Sequence, residues 1–154
     1  MQGTTGVQGN TGVQGITGLR GVTGISSAGQ FGVGYQNAES LSSSTTTSTT
    51  YTNKVTLTTP SLPAGRYLVG FYSELTTDNA SRSFGVRLGV DTASVILAEI
   101  SQKPGTAGEF TAFGGVVEVT LTAAVHTFEI DFKVSGSAAP ITIQRSTVSI
   151  WQAS

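Results

Sequence analysis

The chain has 154 residues with no cysteine, one histidine and four prolines, and only 11% of its residues are charged. The missing thiols exclude disulfides, thiolate catalysis and cysteine-based zinc sites together. Stability must then come from packing and from association of chains. A formal net charge of −1 leaves no basic footprint of the kind that DNA or RNA binding requires. No apolar run approaches the length of a membrane-crossing helix, and Met1 leads into glycine-rich sequence without a basic or hydrophobic leader. Neither nucleic acid nor membrane insertion is expected.

Glycine, by contrast, is abundant and strictly spaced at the start, at Gly3, Gly6, Gly9, Gly12, Gly15, Gly18, Gly21 and Gly24. Only a hydrogen side chain fits where three polyproline-II strands meet at a common axis, so this period predicts a collagen-like triple helix of three chains. At about 3 Å per residue it would span roughly 65 Å, the length of a spacer. Val7, Val13, Ile16, Leu19, Val22 and Ile25 follow glycine, an asymmetry that a glycine-serine linker would not keep. None of the eight triplets contains proline, which normally supplies stiffness, so an outside clamp is needed. The domain that follows would provide it by concentrating the three strands. The expected division is a stem over residues 1–28 and a head over 29–154, the latter long enough for one compact domain.

The head carries almost no helical periodicity. Phe128, Ile130, Phe132 and Val134 alternate with Thr127, Glu129, Asp131 and Lys133, which predicts a strand with one core face and one solvated face. Phe84, Val86, Leu88 and Val90 form a second period-two set with Arg87 opposite. Tyr67, Val69 and Phe71 form a third, in which Leu68 and Tyr72 make the strand apolar on both faces. Further strands are expected over 54–59, 94–101, 110–122 and 140–152, with one near 32–36 and another within 40–50. Pro60 to Gly65, Thr77-Asp78-Asn79, Lys103-Pro104-Gly105 and Ser135-Gly136-Ser137 punctuate them. Eight or nine short strands suit an all-β, two-sheet sandwich of jelly-roll type.

Sites for chemistry are sparse. His126 has no nucleophile-elbow motif to serve, and its parity with Phe128 predicts a structural place at the core margin. The carboxylates are scattered without a calcium-loop pattern, so neither a metal nor a cofactor is expected. The Ser/Thr-rich run over 40–50 reads as a polar edge strand or loop. Asn79-Ala80-Ser81 fits the glycosylation pattern but reads as a turn. Loops over 76–83 and 102–109 are the expected places of ligand contact, by position rather than by motif.

Pro63, Gly65 and Tyr67, running into Leu68, Val69, Gly70, Phe71 and Tyr72, resemble the P-x-G-x-Y-x-F lead-in to a central strand of C1q/TNF-like trimeric jelly rolls, with Val69 at the final aromatic position. The closing run from Thr147 to Trp151 is similar to that family's last buried strand. A collagen-like stem before such a head recurs in complement-type proteins, bacterial surface filaments and bacteriophage fibres, and proline-free, threonine-rich triplets look most like the last two. The resemblance implies a homotrimer packed around the stem axis, with Tyr67, Phe71, Phe132 and Trp151 in core or subunit contacts. The expected function is non-enzymatic: a phage fibre, spike or capsid-decoration protein on the virion surface. Its partners would be other virion proteins and a host surface glycan or protein. The alternatives are a filament protein of a bacterial cell or spore surface, and a carbohydrate-binding module.

Overall fold

A computed structural model of the chain describes residues 35–91, 95–136 and 139–153. The glycine repeat and the expected stem lie outside them. The described residues form nine β-strands and no helix: β1 (Gln36–Ser40), β2 (Ser44–Thr46), β3 (Thr52–Thr58), β4 (Gly65–Thr77), β5 (Ser83–Val90), β6 (Val95–Gln102), β7 (Thr111–Leu121), β8 (Thr127–Ser135) and β9 (Ile141–Gln152). One sheet runs β1-β9-β4-β7, with β2 also pairing β9; the other runs β3-β8-β5-β6. Every pairing between these strands is antiparallel. Because β3, β4 and β5, and again β7, β8 and β9, cross between sheets, the fold is an all-β sandwich.

Alternation explains the core. Tyr67, Val69, Phe71 and Leu75 of β4 and Ile141, Ile143, Val148 and Ile150 of β9 are buried from one sheet. Phe84, Val86, Leu88 and Val90 of β5 and Phe128, Ile130, Phe132 and Val134 of β8 are buried from the other. Phe71 and Phe113 meet with ring centroids 4.8 Å apart. One polar pair sits among these groups: the Ser73 and Ser146 hydroxyls, both fully buried, lie 2.9 Å apart. A register shift between Ser73 and Leu75 keeps both residues inward and leaves Arg145 exposed.

The first strand begins at Gln36; the strand expected over 32–36 falls mostly outside the described residues. Apart from Ser40, which ends β1, the Ser/Thr-rich run contributes only three-residue β2, where Thr45 and Thr142 hydroxyls lie 3.0 Å apart across the strands. Buried Lys54 donates from Nζ to the Ser42 carbonyl and to Ser44 Oγ, tying down the β1–β2 connection. Gln36 pairs Ile150, and the Ala153 amide donates to the Arg66 carbonyl at 2.9 Å, so the chain enters and leaves the sandwich at one end. At the opposite end the Gly108 amide donates to the Thr77 carbonyl at 2.8 Å, bringing the 76–83 and 102–109 loops together.

Candidate functional site

The outer face of the β1-β9-β4-β7 sheet is where the second apolar set of β4 emerges. Leu68 stands opposite Trp151 on β9 and Glu118 on β7; Gly70 opposite Ser149 and Val116; Tyr72 opposite Thr147 and Gly114. Two glycines shape this surface. A Cβ at Gly70 would lie 3.0 Å from Ser149 Oγ and 3.2 Å from the Trp151 ring, so the absent side chain lets the indole settle on the strand. A Cβ at Gly114 would lie 3.0 Å from the Phe71 carbonyl oxygen and 3.1 Å from the Tyr72 ring. Aromatic rings covering cross-strand glycines pin the register of a sheet. Between them lies an open hollow of about 250 Å³ lined by Gly70, Phe71, Tyr72, Gly115, Thr147 and Ser149.

Charge is confined to the margins of this face. Arg66 and Glu118 form a two-pronged pair, Nε to Oε1 at 2.9 Å and Nη2 to Oε2 at 2.6 Å, which raises the arginine pKa and lowers that of the carboxylate. At the other margin the Tyr72 hydroxyl donates to Glu74, and that hydrogen bond is the main reason its pKa is raised; Arg145 nearby works the opposite way. Val116, 59% exposed, stands on edge strand β7 opposite Gly70. An apolar centre with a polar rim is the anatomy of an association surface. Val95 and Ile96, at the start of edge strand β6, are also exposed, near the Asp91 end of the sandwich, and Phe110 is exposed at the opposite end, just before β7.

The outer face of the other sheet has a different character. The Tyr51 hydroxyl donates to Glu99 Oε1 at 2.6 Å, with the Arg87 guanidinium carbon 4.1 Å and Lys133 Nζ 4.2 Å from its ring centroid. Burial first and the Glu99 bond second push the Tyr51 pKa far up. Arg87 donates twice to Asp131 Oδ2, at 3.0 and 2.9 Å, and Asn53 donates to Oδ1 at 3.1 Å. Asp131 is therefore buried rather than solvated: on a face read as wet, three donors and the overlying Tyr51 cluster enclose it. These groups satisfy one another and form a closed polar network.

His126 is buried, Nδ1 2.9 Å from Asp91 Oδ2 and Nε2 2.9 Å from the Thr122 carbonyl. Both nitrogens are committed, so the ring has none left for a nucleophile. Among the described residues no His, Cys, Asp or Glu cluster is arranged to hold a metal. Of the aromatic residues singled out from sequence, Tyr67, Phe71 and Phe132 lie within the sandwich, Tyr67 donating to the Pro63 carbonyl at 2.8 Å, whereas Trp151 lies half-buried on the outer face. The eight repeat glycines lie outside the described residues. The Gly70 and Gly114 seats and the Asp91–His126 pair have no local signature, since each joins residues far apart in sequence.

No protein-family model and no curated protein matches the sequence. Among solved structures the chain is similar to Eiger TNF from S. frugiperda, at 8% identity and a TM-score of 0.53, covering 78% of this chain and 93% of that one. A slighter likeness, too low to carry an argument, is to the C-terminal CBM6 of LamC, a marine laminarinase from Zobellia galactanivorans. There the TM-score is 0.35 and the identity 15%, covering 74% of this chain and 98% of that one. The described residues form an all-β sandwich of antiparallel sheets similar to the TNF jelly roll.

Proposed function

We propose that the chain is the subunit of a homotrimeric, non-enzymatic structural protein of a bacteriophage particle: a fibre, spike or capsid-decoration protein with a collagen-like stem and a jelly-roll head. The observation that carries the trimer is the outer face of the β1-β9-β4-β7 sheet, where Leu68, Gly70, Tyr72, Val116 and Trp151 make an uncharged patch that is only partly covered. That sheet starts with β1, the strand nearest the period-three glycine sequence, so three chains converging in a stem bring this sheet toward the common axis. The β6 edge, with Val95 and Ile96 exposed, supplies a second, non-equivalent surface. Two different surfaces that fit each other generate a closed ring where the rotation between copies closes, whereas one self-complementary patch generates a dimer.

In this reading the head clamps the proline-free stem, and the loops over 76–83 and 102–109, at the end away from Gln36, face outward toward a host surface. Antibody raised against residues 35–153 and applied to purified phage particles should decorate projections in electron micrographs. Decoration of the bacterial envelope or spore coat, with bare particles, would replace the phage assignment with that of a bacterial filament protein.

A further inference from the structure

His126 sits where three segments meet at the end of the sandwich nearest Gln36 and Gln152. Its amide donates to Thr59 Oγ1 at 3.0 Å, and its carbonyl accepts from the Thr59 amide at 2.9 Å and the Thr59 hydroxyl at 3.2 Å, fastening the β7–β8 loop to the end of β3. Asp91, which follows β5, adopts a left-handed φ of 52°. It is held there by its amide bonding the Thr127 carbonyl at 2.7 Å and by Oδ1 accepting from the Thr127 amide at 3.1 Å. The imidazole ring closes the remaining gap, reaching Asp91 with one nitrogen and the Thr122 carbonyl with the other.

Both ring partners are acceptors: an ionised carboxylate and a backbone carbonyl have no proton to give. Neutral imidazole carries one N–H and one bare lone pair, so either neutral tautomer of the buried ring would aim that lone pair at an acceptor oxygen. Only imidazolium satisfies both contacts. We propose that His126 and Asp91 form a proton-dependent latch at the Gln36–Gln152 end of the sandwich, shut while the ring is doubly protonated and released when it loses a proton.

Asp91, from the turn after β5, is the one charged group facing the ring among the described residues; Thr59, Thr122 and Thr127, from the other elements around it, do not titrate. Burial by itself lowers the His126 pKa, but the Thr122 carbonyl and the Asp91 carboxylate outweigh it and hold it above the ordinary value. Burial likewise raises that of Asp91, and the His126 and Thr127 hydrogen bonds more than reverse this. The histidine contribution is thus complete below the unfolded-state value of about 6.5 and disappears as pH rises through the raised folded value. The aspartate contribution is complete above about 3.9 and disappears as pH falls through the lowered folded value. The latch is shut between those limits and opens on the alkaline side.

Because the chain has a single histidine, imidazole nitrogen NMR of the full chain follows this one group. The expected spectrum at pH 6.5 shows both ring nitrogens protonated, with a titration midpoint above that of free histidine. Amide exchange at Asp91, Thr127 and His126 should accelerate above that midpoint while β4 and β9 stay protected. A neutral tautomer at pH 6.5, a midpoint at or below that of free histidine, or alkaline loss of protection across all strands alike would overturn the proposal. Asp91→Asn should lower the midpoint; should that variant fail to fold, the wild-type titration alone decides.

Discussion

Replacing Val116 separates folding from association. The side chain is 59% exposed in the isolated sandwich and stands on edge strand β7 of the apolar sheet face, so Val116→Ala should leave the fold and melting temperature of a dissociated subunit unchanged. If neighbouring copies cover it, removing its methyl groups costs about 1 kcal/mol per contact. Three symmetry-related contacts make that about 3 kcal/mol per trimer, or about 100-fold in the dissociation constant. For a monomer–trimer equilibrium the midpoint concentration follows the square root of that constant, so it should rise about tenfold. Val116→Asp adds the cost of an unpaired carboxylate in an apolar contact, several kcal/mol per site, and should abolish the trimer at micromolar concentration. Sedimentation equilibrium reads both outcomes, with Thr58→Asp on the exposed face of β3 as the control. A Val116→Asp protein that stays trimeric with the wild-type midpoint would refute placement of the interface on this face.

The buried Ser73–Ser146 pair should behave as a unit: Ser73→Ala strands the Ser146 hydroxyl and costs about 1–3 kcal/mol in urea unfolding, whereas replacing both serines with alanine recovers most of the loss. A double variant as unstable as the sum of the singles would contradict this. Asp131→Asn leaves the partly covered Arg87 guanidinium without its carboxylate and should cost about 2 kcal/mol, again by urea unfolding. An unchanged midpoint would show that solvent, not Asp131, satisfies the arginine.

Much of the sandwich was legible because strand parity is a local property. The Phe128-to-Val134 and Phe84-to-Val90 alternations map directly onto β8 and β5, and the punctuation at Pro60, Pro63, Pro104, Gly105 and Gly136 falls between strands, with Gly65 opening β4. Leu68 and Tyr72, apolar on the unexpected face of β4, were the one visible trace of the candidate association surface. What lay beyond reach depends on pairing across the sheets. Gly70 beneath Trp151, Gly114 beneath Tyr72 and Asp91 beside His126 are brought together only by register, which no short window of sequence encodes. Asp131 looked solvated for the same reason: alternation assigns it to the outer face but cannot show that Arg87, Asn53 and the Tyr51 cluster bury it there.

Stoichiometry decides whether the period-three glycine sequence and the apolar sheet face belong to one assembly. Light scattering of the purified full chain at micromolar concentration should give three times the 15.8 kDa subunit mass, and a head of residues 35–153 should remain trimeric without the repeat. A full-length protein that scatters as a 15.8 kDa monomer, or a head that dissociates once the repeat is removed, would contradict a trimer clamped by the β-sandwich.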